Sequence, residues 1–178
     1  MVAPAFHKLL GFLFEPAVPL WRYCLAAVPI ALLPSMLFLF VAISAVEGLN
    51  ALGLSDMDPE ALMPAVPPQR AIDYFLIIVA TPAFETLLLA LVLWMLGRVI
   101  SSRRILAAVS ALVWGALHGS LAPLWFFGTA WTFFVLSAGW LAWRGRSRRH
   151  AFAAASIPHA LINLFAMSVM SLAPSSLS

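Results

Sequence analysis

The chain has 178 residues, of which 63% are hydrophobic and only 10% charged, with a mean hydropathy of +1.00. A soluble domain of this length would carry roughly 25% charged residues, so the composition excludes one and points to an integral membrane protein. The net charge of +3 does not indicate nucleic-acid binding, because the basic residues fall in short stretches between apolar runs, where they set topology.

At the N-terminus, Phe6, Leu9, Leu10 and Leu13 lie at helical spacing, with Lys8 and Glu15 off that stripe. This predicts a short helix within residues 1–22, lying in the membrane interface and ended by Pro16 and Pro19. The apolar run between Lys8 and Glu15 is too short for a secretory signal. The first predicted span covers 23–46 and holds Pro29 and Pro34. The single cysteine, Cys24, lies at its edge and is expected to serve packing. Residues 47–70, with Asp56, Asp58, Glu60 and four prolines, are too polar to span and read as a connector. Further spans are predicted at 71–96, 105–119, 122–143 and 151–172. The expected fold is all-α: one integral membrane domain, a polytopic bundle of about five transmembrane helices plus the N-terminal interfacial helix. In the third span Ala107, Ala111, Gly115 and Gly119 form a small-residue line that lets another helix approach closely, which marks it as the expected packed centre.

Five crossings put Arg22, Arg98, Arg103, Arg104 and the Arg144–Arg149 group on one side and the acidic connector on the other, with Arg70 alone misplaced. Cytoplasmic loops carry the excess of basic residues. The N-terminus is therefore expected in the cytoplasm and the C-terminus outside. Nine arginines against one lysine fit a GC-rich bacterium, hence the inner membrane of a prokaryote.

Glu85 is the charged residue that lies deep within a predicted span. A carboxylate in hydrocarbon costs several kcal/mol unless it is paired or used. Counting from the flanking arginines at about 1.5 Å per residue, Glu85, His118 and Asn163 all fall about 20 Å in, with His159 one turn nearer the basic side. His159 and Asn163 share a helix face at i, i+4, as do Trp114 and His118. Pro82 and Pro158 bend the chain just before Glu85 and His159. Such a set suits water activation: a carboxylate with an imidazole takes a proton from water, while a second imidazole and an amide donate to an oxyanion. Glu85, His118 and His159 could instead hold a divalent metal such as zinc, but asparagine is a poor zinc ligand, which favours a site without cofactor.

At these residues the chain resembles the CAAX-protease and bacteriocin-processing (Abi) family of intramembrane proteases, whose motifs are Glu-Glu-x-x-x-Arg, Phe-x-x-x-His and His-x-x-x-Asn. The third stands intact as His159-Ala-Leu-Ile-Asn163, and the second appears as Trp114-Gly-Ala-Leu-His118. In the first, Pro82 aligns Glu85 with the leading glutamate, leaving Thr86 and Ala90 where the family carries its second glutamate and its arginine. The resemblance implies that Glu85 and His118 activate water while His159 and Asn163 stabilise the oxyanion. It also implies a peptide or membrane-anchored protein substrate, exported substrates being the best match to a site nearer the outer face. The lipid bilayer is the other partner, and nucleic acid is not expected. Two other functions use the same cluster: a proton- or ion-coupled transporter, and a non-catalytic membrane scaffold. Transporters usually show inverted repeats and more spans, and neither is visible in the chain.

Overall fold

Every regular element among the described residues is helical, and the computed structural model describes residues 3–15, 17–64 and 70–172. The helices are α1 (Ala3–Phe14), α2 (Leu20–Ala51), α3 (Ala71–Phe75), α4 (Thr81–Leu96), α5 (Arg103–Gly119), α6 (Trp125–Trp143) and α7 (Arg148–Leu172). A π-helical turn, Leu76–Ala80, joins α3 to α4 without a break, and a 3-10 turn, Glu60–Leu62, lies in the connector. Among the described residues, four stretches are long and apolar enough to cross a membrane: Leu20–Ala51, Ala71–Leu96, Trp125–Trp143 and Arg148–Ser171. Helix α5, at 17 residues, is shorter than these.

Several boundaries differ from the sequence expectation, each for a local reason. Helix α2 begins before residue 23 and continues past 46 through Glu47 and Asn50, so the connector starts later than expected. Nothing in that stretch breaks a helix until Gly53, which adopts φ of 68°. There Gly53 N–H donates to Asn50 O and Leu54 N–H to Leu49 O, the paired bonds of a Schellman stop. Helix α6 starts at Trp125 rather than 122 because residues 120–124 turn back on themselves, Leu121 and Ala122 both donating to the His118 carbonyl. Helix α1 is present as expected, but its C-terminal end is anchored in the core: Leu13 is fully buried and its carbonyl accepts from Tyr23 Oη. Of the two prolines expected to end α1, Pro16 lies outside the described residues, and Pro19 caps the start of α2.

The packed centre is α6, not the third span. Helix α6 touches α1, α2, α4, α5 and α7 and buries residues on all its faces, whereas α5 leaves Ile105, Leu112 and Leu117 exposed. The small-residue line works as a contact surface against that centre. A Cβ on Gly115 would lie 2.9 Å from Ala130 Cβ, and one on Gly119 3.0 Å from Phe126 Cβ. Farther along, Ser137 Oγ donates to Ser110 Oγ at 3.1 Å, and the Arg103 guanidinium donates to the Leu141 carbonyl. These pairs run antiparallel, so α5 lies alongside α6 from end to end.

The basic ends of the helices gather at one end of the bundle. Besides Arg103 and Leu141, Tyr23 meets Trp143 edge-on, Cys24 Sγ reaches the Ala153 carbonyl at 3.7 Å, and Gly97 sits beside Leu106. Cys24 is accordingly a buried packing residue. At the other end the connector returns to the bundle, where Leu124 N–H donates to Leu62 O.

Candidate active site

The helix carrying Glu85 has an irregular start. Within the π turn, Thr81 N–H donates to Leu76 O, five residues back. Pro82 is next in line for the Ile77 carbonyl and has no N–H to give. The freed carbonyl accepts instead from Asn163 Nδ2 at 2.8 Å, which ties α7 to the π turn. Glu85 follows one turn later on α4, with its side chain 18% exposed.

His118 ends α5, where its Nδ1 lies 2.8 Å from the Trp114 carbonyl. A carbonyl can only accept, so Nδ1 carries the proton and Nε2 presents its lone pair. That Nε2 faces Glu85 Oε1 at 3.8 Å. His159 approaches from α7, its Nε2 3.4 Å from Glu85 Oε2, while its Nδ1 is buried without a partner among the described residues. The acceptor lies on the Nε2 side, so the His159 proton belongs on Nε2. The carboxylate is thus flanked by two imidazoles of opposite tautomer, one offering an N–H and the other a lone pair.

Glu85, His118 and His159 come together as the sequence leads one to expect, but the depths differ. The His159 side chain reaches Glu85 directly. Asn163 lies against Ile77, eight residues before Glu85. Counting residues treats each span as a straight rod, whereas α4 is preceded by a π turn and α7 is bent at Pro158. Thr86 is buried at 2% exposure in the position where the resembled motif has its second glutamate. Among the described residues, no three His, Cys, Asp or Glu side chains are grouped so as to hold a metal ion.

Two aromatic residues of α6 complete the site, and neither stood out in the sequence. Phe133 stacks on Trp114 with centroids 4.6 Å apart and planes 3° from parallel. Its ring also lies 5.1 Å from that of His118 and 5.5 Å from that of His159. Trp125 meets His118 edge-on at 4.7 Å. Helix α6 begins Trp125-Phe-Phe-Gly-Thr-Ala-Trp-Thr-Phe-Phe134, and in so aromatic a run no single ring carries a signal.

Comparison with protein-family models, curated proteins and solved structures finds no match to this chain. What its fold and site define is a helical bundle with, among the described residues, four helices suited to a membrane and a carboxylate held between two histidines in its interior.

Proposed function

We propose that the chain is an intramembrane endopeptidase, a divergent relative of the CAAX-protease and bacteriocin-processing enzymes, acting without a metal. The observation that carries this proposal is the Glu85 carboxylate between His118 Nε2 and His159 Nε2, 3.8 and 3.4 Å away. A water bonded to both Glu85 Oε1 and His118 Nε2 at ordinary distances of about 2.8 Å gives one hydrogen to each. Glu85 takes its proton as the oxygen attacks the substrate carbonyl carbon, and His118 fixes the other hydrogen. Once protonated, Glu85 no longer needs the His159 N–H, which turns to the oxyanion. Asn163 spends one N–H on Ile77 and keeps its second for the same oxygen. Collapse of the tetrahedral intermediate breaks the C–N bond, and Glu85 returns its proton to the leaving amine.

Five crossings complete the proposal, with the N-terminus in the cytoplasm of a prokaryote and the C-terminus outside. Support comes from α5: it lies along the full length of α6, so it crosses wherever α6 does. The basic helix ends then face the cytoplasm. His118 sits in the last turn of α5, which suits a substrate that is exported or anchored from the outer side.

The test is terminal proteomics on host membranes carrying the wild type or Glu85→Gln at equal abundance. New protein termini present with the wild type alone would establish the protease and display its recognition sequence. Identical termini in both would return the cluster to a transporter or scaffold role.

A further inference from the structure

Three ring contacts meet at Phe133, a side chain of α6 that is 2% exposed and has no polar atom of its own. It stacks on Trp114 and touches both His118 and His159. The two imidazoles are held very differently. His118 is tethered at Nδ1 by the Trp114 carbonyl, on its own helix. His159 has no such tether among the described residues: its Nδ1 finds no partner there, and its Nε2 faces Glu85 at 3.4 Å. What keeps its ring from swinging about the Cβ–Cγ bond is packing, and the ring packed edge-to-face against it is Phe133.

The polar neighbours of Phe133 on α6 are committed elsewhere. Thr132 pairs with Ser35 of α2 at 2.9 Å, and Ser137 with Ser110 of α5. Of the two α6 rings at the cluster, Trp125 touches His118, whereas Phe133 touches both His118 of α5 and His159 of α7. Its stacking partner Trp114 shares a helix with His118, so its position follows the helix that carries one histidine while its edge sets the other.

We propose that Phe133 is a positioning residue: it fixes the His159 imidazole against the Glu85 carboxylate and ties its orientation to that of His118. The proposal rests on the protease assignment for only one of its two readouts.

The experiment uses the full chain in lipid nanodiscs with isotope-labelled histidine, the signals of His118 and His159 being assigned by single replacements. Phe133→Leu keeps an apolar side chain but removes the ring. The His159 ring signals should shift and broaden, those of His118 should shift less because its Nδ1 tether survives, and both should stay put in Leu136→Ala, which removes buried bulk from the same helix. With a cleavable substrate in hand, kcat should fall roughly tenfold while KM holds, since small misplacements of catalytic groups cost that much or more. His159 signals unmoved in Phe133→Leu, or moved equally by Leu136→Ala, would overturn the proposal. Should Phe133→Leu fail to fold, Phe133→Met gives the same readout, and failure of both would assign Phe133 to the core instead. A wild-type chain that cleaves nothing would end the protease assignment and leave the ring signals to decide this one.

Discussion

Glu85 was legible in the sequence because a carboxylate in an apolar run has almost no structural reason to be there, and the two histidines followed from their separate helices. Which nitrogen of each ring holds the proton was not legible. It depends on a carbonyl one helical turn from His118 and on His159 Nδ1 having no partner among the described residues. Nitrogen-15 spectra of the labelled protein should show His118 protonated at Nδ1 and His159 at Nε2, with opposite patterns of bound and free nitrogens. Both rings in the same tautomer would remove the alternation of donor and acceptor around Glu85, and with it the water geometry proposed above. If that geometry is right, Glu85→Gln removes the group that accepts and returns the proton, and the hydrolysis rate should drop at least about a hundredfold, the low end of what general acid–base catalysis supplies. Thr86→Glu, which restores the resembled motif, places a second carboxylate at a buried position. Its desolvation would destabilise the fold, and reversible unfolding against the wild type measures the loss.

Interior prolines organise the long helices through the carbonyls they release. Pro34 frees Ile30 O, which accepts from Trp131 Nε1 at 2.8 Å. Pro158 frees Ala154 O, which faces Gly139 so closely that a Cβ there would come within 2.9 Å. Pro82 and the π turn free Ile77 O for Asn163. At Ile30 and Ile77 a side chain of a different helix answers the orphaned acceptor, as a water-poor interior demands, while at Ala154 the freed carbonyl packs against the bare backbone of Gly139. The prolines themselves were visible in the sequence, but their partners were not, because a tryptophan, a glycine and an asparagine on distant helices share no local pattern with them. Asn163→Ala should leave Ile77 O unpaired and cost on the order of 1 kcal/mol, the usual worth of an interhelical hydrogen bond in a membrane. Asn163→Asp should cost more once ionised, since it sets an anion against a carbonyl. Reversible unfolding in mixed micelles measures both, and equal stability of all three chains would show the bond to be idle. Gly115→Ala tests the α5–α6 seam in the same assay. Its Cβ would meet Ala130 and Phe126 within about 3 Å, so a loss of about 1–3 kcal/mol is expected. Gly48→Ala, with nothing within 4 Å in α2, should be neutral or gain up to about 1 kcal/mol of helix propensity.

Taken as one molecule, the chain places its basic residues at one end and its connector at the other, and its apparent exception is neutralised. Arg70 donates to Asp73 through Nε and Nη2 at 3.1 and 3.2 Å, so a charge that looked misplaced forms a local pair. The ends were readable from charge alone, but the centre was not. Burial on every face of α6 comes from how five other helices surround it, and hydropathy along α6 does not distinguish that from exposure to lipid. The same gap concerns α5, whose 17 residues measure about 25 Å at 1.5 Å per residue, against a hydrocarbon core of about 30 Å. Its antiparallel register with α6 and its arginines at one terminus argue for a full crossing. The number of crossings then sets everything downstream: with α5 across, the chain's ends lie on opposite sides, and without it they lie on the same side. Single cysteines at the exposed positions Ser101 and Ser120, in a Cys24→Ala background, flank α5 and decide the matter. An impermeant maleimide applied to intact cells should label Ser120→Cys and leave Ser101→Cys for labelling only after the membrane is opened. Equal labelling of both from outside would make α5 re-entrant. Labelling of Ser101 alone would invert the bundle, bring the end of α5 that carries His118 toward the cytoplasmic face, and redirect the search for substrates to proteins anchored from within the cell.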